Sequence, residues 1–387
     1  MPRVRSALLP SWCLSCGLLG VLATACAPAE DPDADAPITV LPYADPGAQG
    51  PYPVGIRTIV LPEVAGYTNV EVEVWYPAAQ AADATTTYEF IGVSFDAAGY
   101  RNVAPEPHAL NRLIAFSHGL GGVRQQNYAM AERLASFGFI VVAPDHPGTT
   151  TLDYLATFDD LGAAVVRRPA VVRAAVDAIQ QGAVEGLVPV GETYGLIGHS
   201  LGALTAMSVG GGVLSGPGFE AACGPEVHPV ACDLLGEITY DLDDVAAYAG
   251  PDDRVETTIL QSPGGTWAFE PGSLAGIPRP LVMGATADTI LPYESEIVPV
   301  FEALDAPASF ATFEGAGHYG YTNMCDLSVA TLFAPDCEGE AGGFVDPIAV
   351  RAKANRTVMA WMGATLGGQD AFQDDLIASD GVEWETK

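Results

Sequence analysis

Basic residues are scarce in this chain of 387 residues, which has 16 lysines and arginines against 48 acidic residues. Lys353 and Lys387 are its only lysines. The formal net charge of −32 argues against nucleic acid as a partner, because binding to phosphates needs basic side chains that displace counterions. Such an acidic balance indicates a well-solvated surface that weakly repels anionic lipid. The apolar content is that of a globular protein.

Cysteine is scarce as well, and its positions favour disulfides over a metal site. Cys13, Cys16 and Cys26 belong to the N-terminal segment. The other four allow three connectivities, and their close spacing favours two local bridges, Cys223–Cys232 and Cys325–Cys337. These four include no C-x-x-C spacing, and His228 is the only histidine near the first pair, so zinc is a poor alternative. We expect neither a metal nor a cofactor.

Residues 1–25 have the pattern of an export signal. Arg3 and Arg5 form a short basic region, residues 6–25 are mostly apolar, and Ala23-Thr24-Ala25 supplies an A-x-A-like cleavage site. A retained membrane anchor is disfavoured, since the stretch contains Pro10 and is barely long enough to span a bilayer. The pattern predicts a protein exported from a bacterium.

The residues after this signal leave two fates open. Cys26 follows the cleavage site at once, as the lipid-modified cysteine of a bacterial lipoprotein would, but Ala23 stands where leucine is usual. The sequence therefore fits a secreted protein and an outer-membrane lipoprotein equally. Residues 26–50 are rich in Asp, Ala and Pro, which predicts a flexible acidic tether.

Apolar runs predict a mostly parallel, eight-stranded sheet within a catalytic domain over residues 51–370. The expected strands are residues 56–61, 70–76, 113–116, 139–143, 193–197, 255–260, 280–283 and 308–313. Helical patterns lie between many of them, including 125–137, 165–181 and a closing helix over 350–366. This alternation indicates a doubly wound α/β fold. We expect an insertion at 210–250 and an acidic tail over 371–387.

The most informative motif is Gly198-His199-Ser200-Leu201-Gly202, which reads G-x-S-x-G between a buried strand and a helix. That context is the nucleophile elbow of an α/β-hydrolase, in which a strained turn projects the serine hydroxyl above the sheet. Glycine is required at both ends, because a Cβ there would clash where strand and helix cross. The motif predicts Ser200 as a nucleophile.

A serine nucleophile needs a base and an acid, and this fold orders them serine, acid, histidine along the chain. His318 lies in a glycine-rich loop directly after the last predicted strand, whereas His228 lies in the insertion. Asp288 lies in the loop that leaves the preceding strand, whereas Asp305 and Glu302 fall on or near a helix. The sequence predicts a catalytic triad of Ser200, Asp288 and His318, with the acid orienting the imidazole.

The oxyanion hole of such a site uses two backbone N–H groups. One belongs to Leu201, just after the nucleophile, and the other is expected from Leu120 in Ser117-His118-Gly119-Leu120-Gly121-Gly122. His118 is expected to order that loop and not to act as a base. His199 is expected to form a wall of the site.

Several segments resemble the platelet-activating-factor acetylhydrolases and the bacterial proteins often named predicted dienelactone hydrolases. They are Phe116 to Gly122 with Arg124, Leu134 to Val141, Gly50 to Gly55 and Val74 to Pro77. The similarity runs from about Pro46 to Trp361, interrupted by the insertion. A true dienelactone hydrolase has a cysteine nucleophile where this chain has Ser200. The resemblance implies hydrolysis of short-acyl esters by the same three residues.

A second resemblance is to bacterial cutinases and polyester hydrolases. Thr150-Thr151-Leu152-Asp153 and residues 284–290 are similar to theirs, as is an aromatic residue beyond the sixth strand, here Trp267. In those enzymes that aromatic stacks on the bound ester, which implies a substrate-binding role for Trp267. Tyr319, beside the predicted base, is expected to line the same pocket with Leu120.

The leading expectation is a serine carboxylic-ester hydrolase that acts through an acyl-enzyme, as a monomer, on a small-molecule, lipid or polyester substrate. Acyl transfer to an alcohol is an alternative within enzymes, because it uses the same triad. A non-catalytic surface binding protein is the alternative outside them, but such scaffolds usually lose a triad member.

Overall fold

Strands and helices alternate along most of the chain in the computed structural model, which describes residues 40–90, 93–156, 161–222, 242–327, 330–332 and 334–387. The strands are β1 (Val54–Val64), β2 (Tyr67–Pro77), β3 (Thr87–Phe90), β4 (Val93–Asp96), β5 (Tyr100–Arg101), β6 (Leu113–Ser117), β7 (Ile140–Pro144), β8 (Tyr194–His199), β9 (Val255–Gln261), β10 (Pro280–Ala285), β11 (Ser309–Phe313) and β12 (Val382–Thr386). The α-helices are α1 (Tyr128–Ser136), α2 (Thr151–Ala156), α3 (Leu161–Gln180), α4 (Leu201–Val209), α5 (Gly216–Ala222), α6 (Leu242–Tyr248), α7 (Val298–Ala303) and α8 (Pro347–Thr365).

The main sheet is mostly parallel, which confirms the expected fold class. Over the described ranges its strand order is β12-β11-β10-β9-β8-β6-β7-β2-β1-β5, and β3 pairs with β4 in a separate hairpin. The six consecutive strands β11-β10-β9-β8-β6-β7 run parallel to one another. After β6 the chain forms β7 on one side and then returns to form β8 on the other. Ligands of such sheets bind at the carboxyl ends of the strands beside this reversal.

All eight predicted strands are present, but the sheet has ten strands in the part of the chain that is described. The additional strands are β5 and β12, one at each edge. β5 is too short to leave a pattern in the sequence. β12 pairs antiparallel with β11, so the expected tail over 371–387 is corrected: its end is a sheet edge.

The core lies in two layers, one on each face of the sheet. Neighbouring residues of a strand belong to opposite layers, as Ile114 and Ala115 do, because strand side chains alternate. α3 and α4 cover the layer of Ala115, and α1 and α8 cover the layer of Ile114. β6, β7 and β8 are therefore buried along their whole length, which is why they read as continuous apolar runs.

The segments expected to be peripheral are described in part. Residues 1–39, with Cys26, and residues 223–241, with the predicted Cys223–Cys232 bridge, lie outside the described residues. Residues 40–50 of the expected tether pack onto the domain, where Leu41 is buried and its N–H donates to Gly367 O. The Cys325–Cys337 bridge is formed, with an S–S distance of 2.02 Å. Among the described helices, none is long and apolar enough to cross a membrane.

Removing residues 382–387 tests whether β12 is structural. Val382 is buried and Trp384 packs against Trp361, so the deletion should lower the free energy of unfolding by about 2–3 kcal/mol, the burial of a large apolar side chain. Urea denaturation measures the change. The double variant Glu383→Gln/Glu385→Gln removes exposed charge and keeps the strand, so it should be unchanged. If the truncated and full-length chains have the same free energy of unfolding, the last residues are a tail, as the sequence predicted, and not a structural strand.

Candidate active site

The carboxyl ends of the parallel strands place the predicted site residues at one edge of the sheet. Ser117 ends β6, His199 ends β8, and the loops after β10 and β11 contain Asp288 and His318. Because these strands run parallel, their following loops lie on the same side. The fold therefore brings together residues that are up to 201 positions apart, from Ser117 to His318.

Ser200 occupies the strained turn that its motif predicts. Its backbone dihedrals are φ 55° and ψ −121°, a region that non-glycine residues rarely adopt. A Cβ on Gly198 would lie 2.1 Å from Gly202 O, and one on Gly202 would lie 2.0 Å from Ser117 O. Both glycines are thus needed for α4 to cross this closely over β8 and the end of β6.

Asp288 and His318 form a buried pair. His318 Nδ1 lies 2.7 Å from Asp288 Oδ2, and both side chains are almost completely shielded from solvent. Asp288 Oδ1 accepts the N–H groups of Ile290 and Leu291 at 2.9 and 2.8 Å. Burial opposes ionisation of Asp288, but the charge of His318 and these hydrogen bonds hold the pKa of the carboxyl below its ordinary value. The ionised acid accepts from Nδ1–H and leaves Nε2 of the neutral imidazole as the basic nitrogen.

Ser200 is joined to His318 through its neighbour His199. His199 Nε2 lies 2.9 Å from His318 O, and the two imidazole centroids are 4.9 Å apart. Over the described residues, no hydrogen bond joins Ser200 Oγ to His318 directly. Nucleophile–base bonds are often long in a free enzyme and tighten with substrate.

His199 is not the wall residue that its position suggested. Its side chain is only 1% exposed, and burial lowers its pKa to about 3, so the ring is neutral. Gln126 Nε2 lies 3.0 Å from His199 Nδ1, and Gln126 Oε1 accepts the N–H of Gly119 at 3.0 Å. Since Oε1 is the acceptor, Nε2 donates to Nδ1, and His199 Nε2–H then donates to His318 O.

Gln126 is a site residue that sequence reasoning missed. It connects the loop after β6 to His199 and, through His199, to the backbone of His318. The sequence carried no signal for this role, because Gln125 and Gln126 read as the polar start of a helix. In the structure that helix, α1, begins at Tyr128.

Hydrogen bonds at Gly119 O fix the orientation of the Gly119–Leu120 peptide in the loop after β6. Gly119 O accepts from Gly122 N–H at 3.1 Å and lies 2.8 Å from His118 Nδ1. In a trans peptide the N–H points opposite to the C=O, so fixing Gly119 O aims Leu120 N–H the other way. A Cβ on Gly119 would lie 3.3 Å from the Cβ of Ser200, which places this peptide against the nucleophile.

Leu201 N–H is the second group positioned for an oxyanion. Leu201 is the first residue of α4, and the first N–H groups of a helix have no intrahelical acceptor. The N–H of Ser200 itself donates to Gln261 O at 2.9 Å. Leu120 and Leu201 therefore remain the two candidate donors.

His118 lies where the sequence placed it, ordering this loop. It is fully buried, its Nδ1 faces Gly119 O, and its Nε2 accepts the backbone N–H of His146 at 3.1 Å. Burial, followed by the charge of Arg168, holds the pKa of His118 well below its ordinary value. A neutral, fully hydrogen-bonded imidazole has no lone pair free to act as a base.

The two aromatic residues predicted to bind substrate differ in position. Tyr319 lies at the site, half-buried, with its ring edge-on to His318 at 5.1 Å between centroids. Burial raises the pKa of Tyr319 to about 12, so it stays protonated. Trp267 lies in the turn Thr266–Ala268 and packs against the core layer that contains Leu204 of α4.

A hollow next to the loop after β6 was not foreseen from the sequence. Gly122 and Gln126 form part of its lining. The β3–β4 hairpin, the start of α1 and the segment around Met324 line the rest. Most of the side chains are apolar, namely Tyr88, Phe95, Val123, Tyr128, Met324 and Leu327. The hollow is open to solvent.

Comparison with known proteins identifies the family. The model of a family described as the alpha/beta hydrolase family matches residues 114–331, which is more than half of the chain. A comparison with curated proteins finds no match. The matched segment contains β6, the strained serine of the elbow, and the Asp288–His318 pair. The chain belongs to the alpha/beta hydrolase family.

Proposed function

We propose that this protein is a serine hydrolase that cleaves carboxylic esters through an acyl-enzyme, with Ser200, His318 and Asp288 as its triad. The observation that carries the proposal is the buried 2.7 Å pair of His318 and Asp288, which lies beside a serine in a strained turn. A serine hydroxyl is a weak nucleophile unless a base that is itself oriented by a third group accepts its proton. The family supports hydrolysis in general, and the side chains of Ser200, His318 and Asp288 support a carboxylic ester as the substrate.

The first half of the reaction forms the acyl-enzyme. Ser200 Oγ attacks the ester carbonyl carbon, and its proton passes to His318 Nε2. Asp288 stabilises the imidazolium, and the carbonyl oxygen, now negatively charged, accepts hydrogen bonds from Leu120 and Leu201 N–H. The C–O bond to the alcohol then breaks, and the leaving alkoxide takes the proton from His318.

The second half releases the acid. Water gives a proton to His318 Nε2 and adds to the acyl carbon, which forms a second oxyanion in the same hole. The bond to Ser200 Oγ breaks, the serine regains the proton from His318, and the carboxylic acid leaves. An alcohol in place of water would give acyl transfer with the same triad.

We propose short-acyl esters as the substrates. The start of the insertion packs across the end of the Thr266–Ala268 turn, which contains Trp267. Ser215 N–H donates to Ala268 O at 2.9 Å, and Leu214 forms a β-bridge with Phe269. This packing supports a small space on that side of the site. The open apolar hollow beside Gly122 and Gln126 supports a larger alcohol group.

We further propose that the protein acts after export. The Cys325–Cys337 bridge supports this, because disulfides persist in oxidising compartments. Residues 1–25 would be the signal, and a lipid on Cys26 would tether the enzyme to the outer membrane. The chain would act as a monomer on a small-molecule, lipid or polyester ester.

A fluorophosphonate probe should label the wild-type protein at one residue, Ser200. Ser200→Ala should abolish labelling and lower kcat for a short ester by about 10⁵- to 10⁶-fold, the loss found when a triad serine is removed. Mass spectrometry of the labelled peptide and ester hydrolysis measure both effects.

The control for this experiment is Ser262→Ala. Ser262 also follows a central strand, β9, with a positive φ of 40°, but its side chain is fully buried. That variant should keep full labelling. An unlabelled wild type, or equal labelling of Ser200→Ala, would refute the catalytic assignment.

The pH dependence of kcat/KM between pH 5 and 9 should carry no contribution from three other imidazoles near the site, those of His118, His146 and His199. Burial holds the pKa of His118 and His146 well below their ordinary value and that of His199 near 3, so none of these rings titrates in this range. Steady-state rates across this range measure the profile. Tyr319→Phe should leave the profile unchanged, because burial raises the pKa of Tyr319 to about 12, and a changed profile would contradict this prediction.

Esters with two- to four-carbon acyl groups should be hydrolysed with at least about tenfold higher kcat/KM than eight-carbon esters, since one unaccommodated methylene can cost this much. Trp267→Ala should shift the preference toward longer chains. Trp384→Ala, on the edge strand β12 and against the ring of Trp361, should not. Release of monomers from a polyester film, with no preference for short acyl groups, would favour the cutinase-like alternative.

A further inference from the structure

Arg168 is a buried cation without a carboxylate partner. In the sequence of α3 the arginines fall on the face opposite the apolar residues, but Arg168 is only 1% exposed. Among the described residues no Asp or Glu forms an ion pair with it, and none is among the groups that shift its pKa. Burial lowers its pKa to about 9, which still leaves the guanidinium protonated at neutral pH. An unpaired buried charge is costly, so its presence needs a reason.

The guanidinium donates only to uncharged oxygens. Nε donates to Thr205 Oγ1 at 2.9 Å, Nη1 to Thr149 Oγ1 at 2.8 Å, and Nη2 to Ser117 Oγ at 3.2 Å. Nη2 also donates to the carbonyl oxygen of His118. These four bonds give each guanidinium nitrogen a partner, and no carboxylate among the described residues compensates its positive charge.

Through these bonds Arg168 connects the two halves of the oxyanion hole. His118 O lies one peptide before the Gly119–Leu120 unit whose N–H is one candidate donor. On the other side, the Thr205 hydroxyl that accepts from Arg168 donates to Leu201 O at 3.1 Å. Leu120 and Leu201 are therefore positioned relative to each other through one side chain.

The charge of Arg168 already acts on the groups around this loop. After burial, it is the strongest influence that lowers the pKa of both His118 and His146. Ser117 Oγ accepts from Arg168 and lies 2.9 Å from His146 Nε2, within hydrogen-bond distance. The imidazole rings of His118 and His146 next to Arg168 are neutral, so neither offers it a negative charge.

We propose that Arg168 is a positioning residue for the oxyanion hole, and that its uncompensated charge is matched only by the oxyanion that forms when Ser200 attacks the ester. This inference rests on the proposed function. The physical reason is differential binding. A charge with no counter-ion among the described residues gains one in the transition state, whereas the neutral ester of the ground state offers it none. A purely structural role would instead be served by the hydrogen bonds alone.

The test compares Arg168→Met, Arg168→Lys and the wild type on a short-acyl p-nitrophenyl ester. Arg168→Met removes charge and hydrogen bonds, and should lower kcat about 100-fold, the loss typical of one oxyanion-stabilising group, with KM within about twofold. Arg168→Lys keeps the charge and should lose about tenfold or less. Phenylboronic acid, which forms a tetrahedral anion on a catalytic serine, should bind Arg168→Met more weakly by the same factor as kcat.

Arg173→Met is the matched control. Arg173 lies on the same helix, is half-buried, and also donates to backbone carbonyls, those of Tyr248 and Gly250, away from the site. It should lower the melting temperature without changing kcat more than about twofold, because its carbonyl partners are not part of the oxyanion hole.

Three results would overturn the inference. They are a kcat of Arg168→Met no lower than that of Arg173→Met, unchanged boronate affinity, and an Arg168→Lys variant as impaired as Arg168→Met. If Arg168→Met does not fold, Arg168→Lys decides alone, since a loss of boronate affinity beyond about 100-fold despite the retained charge contradicts the proposal. A wild type that neither hydrolyses esters nor reacts with the fluorophosphonate refutes the proposed function itself, which separates the two failures.

Discussion

The active edge of this molecule depends on the close approach of α4 to the end of β6, where Gly202 lies against the carbonyl of Ser117. This contact has no room for a side chain, because a Cβ on Gly202 would lie only 2.0 Å from Ser117 O. The approach brings the loop after β6 against Ser200, and so places Leu120 N–H on the same side as Leu201 N–H. A larger residue at position 202 would separate the two donors before any chemistry began.

A chain of neutral polar groups, the half-buried Gln126 and the buried His199, links this placement to the proposed base, His318. Gly119 N–H donates to Gln126, Gln126 donates to His199, and His199 donates to the backbone of His318. Each bond has one possible direction, because the backbone N–H at one end and the carbonyl at the other fix the donors between them. The burial of His199 strengthens its hydrogen bonds in two ways. It excludes competing water, and it lowers the pKa of the ring so that His199 stays uncharged.

The electrostatics of the site contrast with those of the whole chain. The molecule has a net charge of −32, yet the group beneath its oxyanion loop is a cation that has no acidic partner among the described residues. Asp288 supplies the only fixed negative charge of the proposed triad, and it lies on the base, opposite to where the oxyanion would form. In the mechanism that we propose, a site divided in this way stabilises an imidazolium at one end and an oxyanion at the other.

The sequence by itself determined the eight central strands, the elbow, and the order of Ser200, Asp288 and His318. Each of these is written locally, as a continuous apolar run, a five-residue motif, or a loop that directly follows a strand. The tertiary structure alone decided what depends on partners distant in sequence: β12 against β11, Gln126 against His199, and Arg168 beneath His118. Val382 and Trp384 do alternate with glutamates, but an acidic tail shows the same composition until β11 offers it an edge. An arginine on a helix reads as solvent-facing in any sequence, and only the packing of α3 against β6 and α4 makes Arg168 a buried charge.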